Sequence, residues 1–153
     1  MTPADETKIS SESPEQTEQL AEQIGKKLRG GEVIELISDL GGGKTTFVRG
    51  LAKGMGSTGK VASPSFTIEN EYKAGDLTLC HFDFYRLSDA GIVKVELAEK
   101  IHDQKMVTVI EWSDIVKDAL PDDRLSIKIT TKSETARELS FSYPESLAYL
   151  CKS

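Results

Sequence analysis

Leu20, Ile24 and Leu28 recur every four residues through a polar background, which lays one apolar stripe along a helix. Ser13-Pro14-Glu15-Gln16 marks its start, with Ser13 as N-cap, Pro14 at the first helical position and Gln16 placed to close a capping box. Gly30-Gly31 reads as its end. The run Val33-Ile34-Glu35-Leu36-Ile37 follows as a buried strand, and Phe47, Val48, Leu51 and Met55 then give a second helix whose apolar face packs on a sheet. Gly54 and Gly56 read as its stop. From residue 63 the period changes. Ser63-Pro64-Ser65 is a polar turn, and residues 66–72 and 77–85 read as two strands of a hairpin around Lys73-Ala74-Gly75-Asp76. Residues 92–101 are weakly helical, 106–110 form a short β-branched strand, and 125–130 with 138–143 form a late antiparallel pair. Residues 1–12 are polar and aperiodic and read as a disordered tail ahead of one domain over 13–153. The expected fold is α/β, a single three-layer domain with a central mixed sheet and helices on both faces.

Between the first strand and the second helix lies Ser38-Asp39-Leu40-Gly41-Gly42-Gly43-Lys44-Thr45, followed by Thr46. A tight loop of small residues turns its backbone N–H groups inward, and the helix N-terminus adds partial positive charge, so the pair cradles phosphate oxygens. In that arrangement Asp39, Leu40, Gly41, Gly42, Gly43, Lys44, Thr45 and Thr46 bind ATP, with Lys44 on the β- and γ-phosphates and the Thr45 hydroxyl on Mg²⁺. The domain is then a P-loop NTPase. A plain glycine turn with a chance lysine is the alternative, but Gly-Lys-Thr-Thr falls at the strand-to-helix junction that phosphate binding demands. The pattern has glycine at the Ser38 position, so a side chain there bears on affinity.

Magnesium needs a second protein contact, and a carboxylate ending a buried strand beside the loop supplies it. Glu111, after Val107-Thr108-Val109-Ile110, fits as metal ligand and catalytic residue. In His81-Phe82-Asp83-Phe84-Tyr85-Arg86, strand alternation sets His81, Asp83 and Tyr85 on one face. Two roles are open to Asp83: orienting the attacking water or reaching magnesium through water, and a simple pair with Arg86 or His81. His81 reads as a structural hydrogen-bonding residue. Arg86 reads as a surface ion pair or as a cation on phosphate charge. Ser63, Ser65 and Thr67 offer hydroxyls suited to a loop that senses the γ-phosphate, or to an ordinary turn. Trp112, the one tryptophan, packs or shapes the site.

The net charge is −6, and residues 1–18 carry Asp5, Glu6, Glu12, Glu15 and Glu18 against Lys8 alone. Gripping nucleic acid needs clustered Lys and Arg, so any RNA contact is indirect and another molecule supplies the basic surface. No stretch reaches the length of a membrane span, and the N-terminus lacks the regions of a signal peptide. Cys80 and Cys151 have no metal or redox spacing, and a buried free thiol at Cys80 fits a reducing cytoplasm.

Asp39-Leu40-Gly41-Gly42-Gly43-Lys44-Thr45-Thr46-Phe47-Val48-Arg49-Gly50, Ser63-Pro64-Ser65-Phe66-Thr67, His81-Phe82-Asp83-Phe84-Tyr85-Arg86-Leu87, Ile110-Glu111-Trp112 and Leu120-Pro121 occur in that order. Together they resemble the TsaE family, the small bacterial ATPase of tRNA threonylcarbamoyladenosine biosynthesis, over residues 13–130. The resemblance implies Mg²⁺-dependent ATP hydrolysis in partnership with two larger sugar-kinase-fold proteins, one of which transfers threonylcarbamoyl to the adenosine beside the anticodon. It also implies phosphate and metal binding by Lys44 and Thr45, a metal-side role for Glu111, functional positions at Asp83 and Trp112, and a switch-like loop at 63–67. The chain departs from the family pattern at Ser38, at Ser65 and over 90–97. Two other readings compete. A small-molecule kinase requires an acceptor pocket and an arginine lid, and Arg29, Arg49, Arg86, Arg124 and Arg137 form no cluster in sequence. A nucleotide-gated binding module would bind without turnover.

Overall fold

A computed structural model describes residues 5–38, 43–58, 69–85 and 91–152. Seven strands form one sheet: β1 (Asp5–Ser11), β2 (Val33–Ile37), β3 (Glu69–Ala74), β4 (Leu77–Asp83), β5 (Met106–Glu111), β6 (Leu125–Thr131) and β7 (Arg137–Tyr143). Their order is β1-β7-β6-β2-β5-β4-β3. The centre is parallel, with β2 between β5 and β6, and β4 outside β5. Antiparallel strands β3, β7 and β1 extend both edges, so the sheet is mixed as expected.

Alternation along the strands separates two apolar layers. Ile34, Leu36, Val107, Val109, Leu125 and Ile127 point to one side, where they pack on α1 (Pro14–Gly25) and α2 (Lys44–Met55). Val33, Cys80, Phe82 and Ile110 point to the other, beneath Leu97 of α3 (Gly91–Ile101) and Val116 and Leu120 around the 3₁₀ turn Ser113–Ala119. Helices therefore cover both faces.

Helix α1 begins as its sequence dictates. Ser13 accepts the Gln16 amide at 3.2 Å, and Pro14 opens the first turn. The Gln16 side chain reaches back one residue further than a capping box requires, to the Glu12 amide at 2.9 Å. The helix stops at Gly25 rather than at Gly30-Gly31, which sit instead at positive φ in the connection to β2. There the Glu32 carboxylate takes the Arg29 and Gly30 amides at 2.8 and 2.7 Å.

The expectation of a disordered tail over 1–12 is corrected for residues 5–11. They form β1, paired along its whole length with β7 from Asp5↔Tyr143 to Ser11↔Arg137. Ser11 is fully buried and its hydroxyl bonds that of Thr17 at 2.7 Å. The strand escaped the hydrophobic pattern because it is a sheet edge, where one apolar residue, Ile9, suffices to pack on the core. The hairpin is present as β3–β4 around Gly75-Asp76, and its second strand closes at Asp83. No helix among the described residues is long and apolar enough to cross a membrane.

Candidate functional site

The parallel strands β2, β4 and β5 deliver their C-terminal ends to one edge, where an open α/β sheet binds its ligands. Gly43 caps α2 with φ 102°, a left-handed backbone that glycine adopts without a Cβ clash. With no side chain at the cap, the amides of Lys44, Thr45 and Thr46 open the helix, and the first turn carries no acid. A helix start of this kind favours an anion.

Lys44 is nearly buried, at 7% exposure, so its charge requires partners. Its Nζ donates to the Ser38 carbonyl at 3.1 Å and lies 3.9 Å from Glu111 Oε1 and 4.8 Å from the centre of the Trp112 ring. Glu111 ends β5 and is 2% exposed. Its other oxygen, Oε2, accepts a short hydrogen bond from His81 Nε2. His81, which alternation placed on the same face as Asp83, is fully buried, and its Nδ1 has no partner among the described residues. That leaves one polar duty for the ring: it fixes the Glu111 carboxylate.

Asp83 ends β4 directly opposite Glu111. Its Oδ1 accepts the Tyr85 amide at 3.0 Å. Burial is the largest influence on this carboxyl and holds it above the usual aspartate range; the Glu111 charge adds to that, against the Tyr85 amide, His81 and Lys44. Two carboxylates, a lysine and a helix start thus converge on one cleft. Hydroxyl and carboxylate oxygens are hard donors of the kind Mg²⁺ prefers, and neighbouring acids of like charge are what a divalent cation relieves, so Thr45, Asp83 and Glu111 fit that metal.

Trp112 does more than pack. Its backbone is left-handed, φ 57° and ψ 55°, the one non-glycine positive φ among the described residues. Its ring lies beside Lys44 and packs against Tyr85 at 4.9 Å with the planes tilted by 48°; Tyr85 is half exposed. The role of Tyr85 lay hidden in the sequence beyond its face assignment. Arg137, dismissed as unclustered, approaches the loop: its Nε lies 4.0 Å from where a Gly43 side chain would begin. Asp39, Leu40, Gly41, Gly42, Ser63, Ser65, Thr67 and Arg86 lie outside the described residues.

A second acidic group, Glu69 and Glu71 with Cys80, already holds a cation: Lys100 Nζ is 2.6 Å from Glu71 and 3.9 Å from Glu69. The Cys80 thiol donates to Glu69 at 2.6 Å and is pushed far up by burial, so it stays protonated and buried, as its apolar strand implied.

Comparison with known proteins identifies the relatives of this chain. A family model described as Threonylcarbamoyl adenosine biosynthesis protein TsaE matches residues 11–139. The tRNA threonylcarbamoyladenosine biosynthesis protein TsaE of Bacillus subtilis is 40% identical over 129 residues, covering 84% of this chain and 80% of that protein. The protein of the same name from Aquifex aeolicus is 42% identical over 113 residues, covering 67% and 85%. A crystal structure of Bacillus subtilis YdiB superposes with a TM-score of 0.81 at 35% identity, covering 97% of this chain and 93% of that one.

Proposed function

The chain belongs to the TsaE family of threonylcarbamoyl adenosine biosynthesis proteins, and from that membership we propose that it hydrolyses ATP in support of tRNA threonylcarbamoyladenosine formation. It does so as an accessory subunit of two larger sugar-kinase-fold proteins in the cytoplasm. The observation that carries the reading is the convergence of Lys44 Nζ and Glu111 Oε1, 3.9 Å apart, at the start of α2.

The start of α2 binds the phosphates through its first-turn amides, and Lys44 exchanges its Ser38 carbonyl and Glu111 partners for β- and γ-phosphate oxygens. Thr45 and Glu111 hold Mg²⁺, which neutralises phosphate charge when bound. His81 keeps Glu111 aimed at the cleft. Asp83 has Oδ1 tied to the Tyr85 amide, which assigns Oδ2 to orienting the water and taking its proton; a raised carboxyl is the better base for that step. Ser63, Ser65 and Thr67 serve as the switch-like loop, and Arg86 as a cation on phosphate charge. The acidic chain touches tRNA only through its partners, consistent with its net charge of −6.

The test is ATP hydrolysis by the purified chain, alone and with the two partners and tRNA. Turnover rises with the partners, and Lys44→Ala or Glu111→Ala abolishes support of tRNA modification while circular dichroism stays that of the parent. Full modification by either variant refutes the reading. Phosphate transfer to a small metabolite without partners would establish a kinase instead, and ATP-dependent partner binding without turnover at any concentration a binding module.

A further inference from the structure

Glu35 has no place in the chemistry above, yet it is a buried acid with three side-chain hydrogen-bond donors. It sits in the middle of β2, the strand that leads into the glycine loop, and is 2% exposed. Its side chain points to the sheet face opposite Lys44. There Oε2 accepts a short hydrogen bond from the Ser113 hydroxyl, while Oε1 accepts the Ser126 hydroxyl at 2.9 Å and Arg124 Nε at 3.1 Å. Burial pushes this carboxyl up, but the three donors and the Arg124 charge outweigh it and hold the group below the usual glutamate range, so it stays ionised. Backbone pairing of Glu35 with Ile110 on one side and Ser126 on the other fixes the strand that carries the anion.

Ser113 is the informative partner. The chain leaves β5 at Glu111, whose side chain faces the phosphate loop. Two residues later Ser113 is buried on the opposite face, bonded to Glu35. Simple alternation would return residue 113 to the face of Glu111. The reversal is made at Trp112, by a left-handed backbone that L-residues other than Asn and Asp seldom adopt. The Trp112 ring packs on the Phe82–Ile110 layer and reaches the Lys44 side, 4.8 Å from Lys44 Nζ and 4.9 Å from the Tyr85 ring. A strained single-residue turn persists only where its surroundings over-determine it. Here the turn is clamped between the Glu111 strand end and the buried, charge-assisted Ser113–Glu35 bond.

We infer that Glu35 is a positioning residue: by anchoring Ser113 it holds Trp112 in its left-handed turn and so sets the aromatic wall beside Lys44. The inference rests on the proposed function only in treating that cleft as the nucleotide site. It assigns a purpose to an acid between apolar neighbours, Ile34 and Leu36, where a neutral residue would otherwise serve.

Trp112 is the sole tryptophan, so its emission reports this geometry without interference. Ser113→Ala and Ser126→Ala each remove one hydroxyl donor from Glu35, but only Ser113 is joined to Trp112. The expected result, in protein without nucleotide, is a shifted Trp112 emission maximum and about twofold or more greater acrylamide quenching in Ser113→Ala. Ser126→Ala keeps the parent spectrum although its melting temperature falls by a similar amount. Parent-like emission in Ser113→Ala, or equal shifts in the two variants, overturns the inference, since a merely structural acid would affect both alike. Because the spectra need no ATP, a chain that fails to hydrolyse ATP refutes the proposed function and leaves this result intact. Glu35→Gln, which keeps two acceptor lone pairs but loses the charge, falls between Ser113→Ala and the parent in emission; a spectrum identical to the parent would show that the charge is not used.

Discussion

Asp83 and Glu111 face each other as the last residues of adjacent parallel strands, two acids in register at the C-terminal edge of the sheet. Burial first, and then the Glu111 charge, raise the Asp83 carboxyl above its ordinary value near about 3.9. An acid whose carboxyl is raised on folding binds more protons folded than unfolded across the window between its two values. Stability therefore declines as pH rises through that window, and the ionised form is a standing cost at neutral pH. Asp83→Asn removes that cost and keeps an acceptor for the Tyr85 amide. The expected outcome at pH 7 is a melting temperature higher by about 1–3 °C, discounted for partial exposure of the site, with ATP turnover lost. Thermal melts from pH 3.5 to 8 check it: the advantage of the variant should vanish below about pH 4. A variant less stable than the parent at pH 7 would show that Asp83 is structurally paired.

Ser38 departs from the phosphate-loop pattern, and its backbone takes part in holding Lys44. The bond is made by the Ser38 carbonyl, at 3.1 Å, which any residue supplies. Ser38→Gly is expected to bind ATP as tightly as the parent or more so, with any gain within about tenfold by titration of a non-hydrolysable analogue, since one neutral hydrogen bond is worth about 0.5–1.5 kcal/mol. A clear loss of affinity would assign the Ser38 hydroxyl a positive role.

The N-terminal residues form a strand where their composition predicts a tail, for a physical reason. Residues 5–11 alternate polar and charged groups around a single apolar Ile9, a pattern that a sheet edge tolerates and a tail shares. Only the pairing with β7, more than 120 residues away in the chain, tells them apart, and no local rule reaches that far. Deleting residues 1–10 strips the edge from β7 and removes the Thr7–Tyr143 hydroxyl bond of 3.0 Å. Unfolding in urea should show a loss of at least about 2 kcal/mol, where removal of a true tail would cost nothing.

What was legible in the sequence was local. The glycine loop, Lys44, Thr45 and the strand before them announce themselves within a dozen residues, and Glu111 could be placed because a strand end next to a phosphate loop has few roles. The hairpin and both helices followed from period alone. The illegible parts all depend on distance. His81 meets Glu111 across 30 residues, and Glu35 meets Ser113 across 78, so neither partnership has a sequence signature. The left-handed turn at Trp112 is hidden for the opposite reason, because local propensity argues against it. The one available sign was an acid, Glu35, inside an otherwise apolar strand.

Gly54 was read as a helix stop, yet α2 runs past it to Met55 and ends on Gly56. Its reason for being glycine is contact between helices. A Cβ at Gly54 would stand 2.1 Å from the Glu22 carbonyl oxygen and 2.9 Å from the Lys26 nitrogen, both backbone atoms of the neighbouring helix and its cap. Gly50 makes the same approach one turn earlier, where a Cβ would stand 2.3 Å from the Glu18 carbonyl oxygen. Backbone in a packed helix pair yields only if the helices separate, and α2 carries Lys44 and Thr45 at its other end. Gly54→Ala is therefore expected to cost about 2–3 kcal/mol, read as a fall of about 5–10 °C in melting temperature, and to weaken ATP-analogue binding as the start of α2 shifts. Gly56 provides the control. It is left-handed at φ 96° but has open space around it, so Gly56→Asn should cost less than about 1 kcal/mol and leave binding unchanged. Equal losses in the two variants would show that helix termination, rather than close packing against α1, is what position 54 requires.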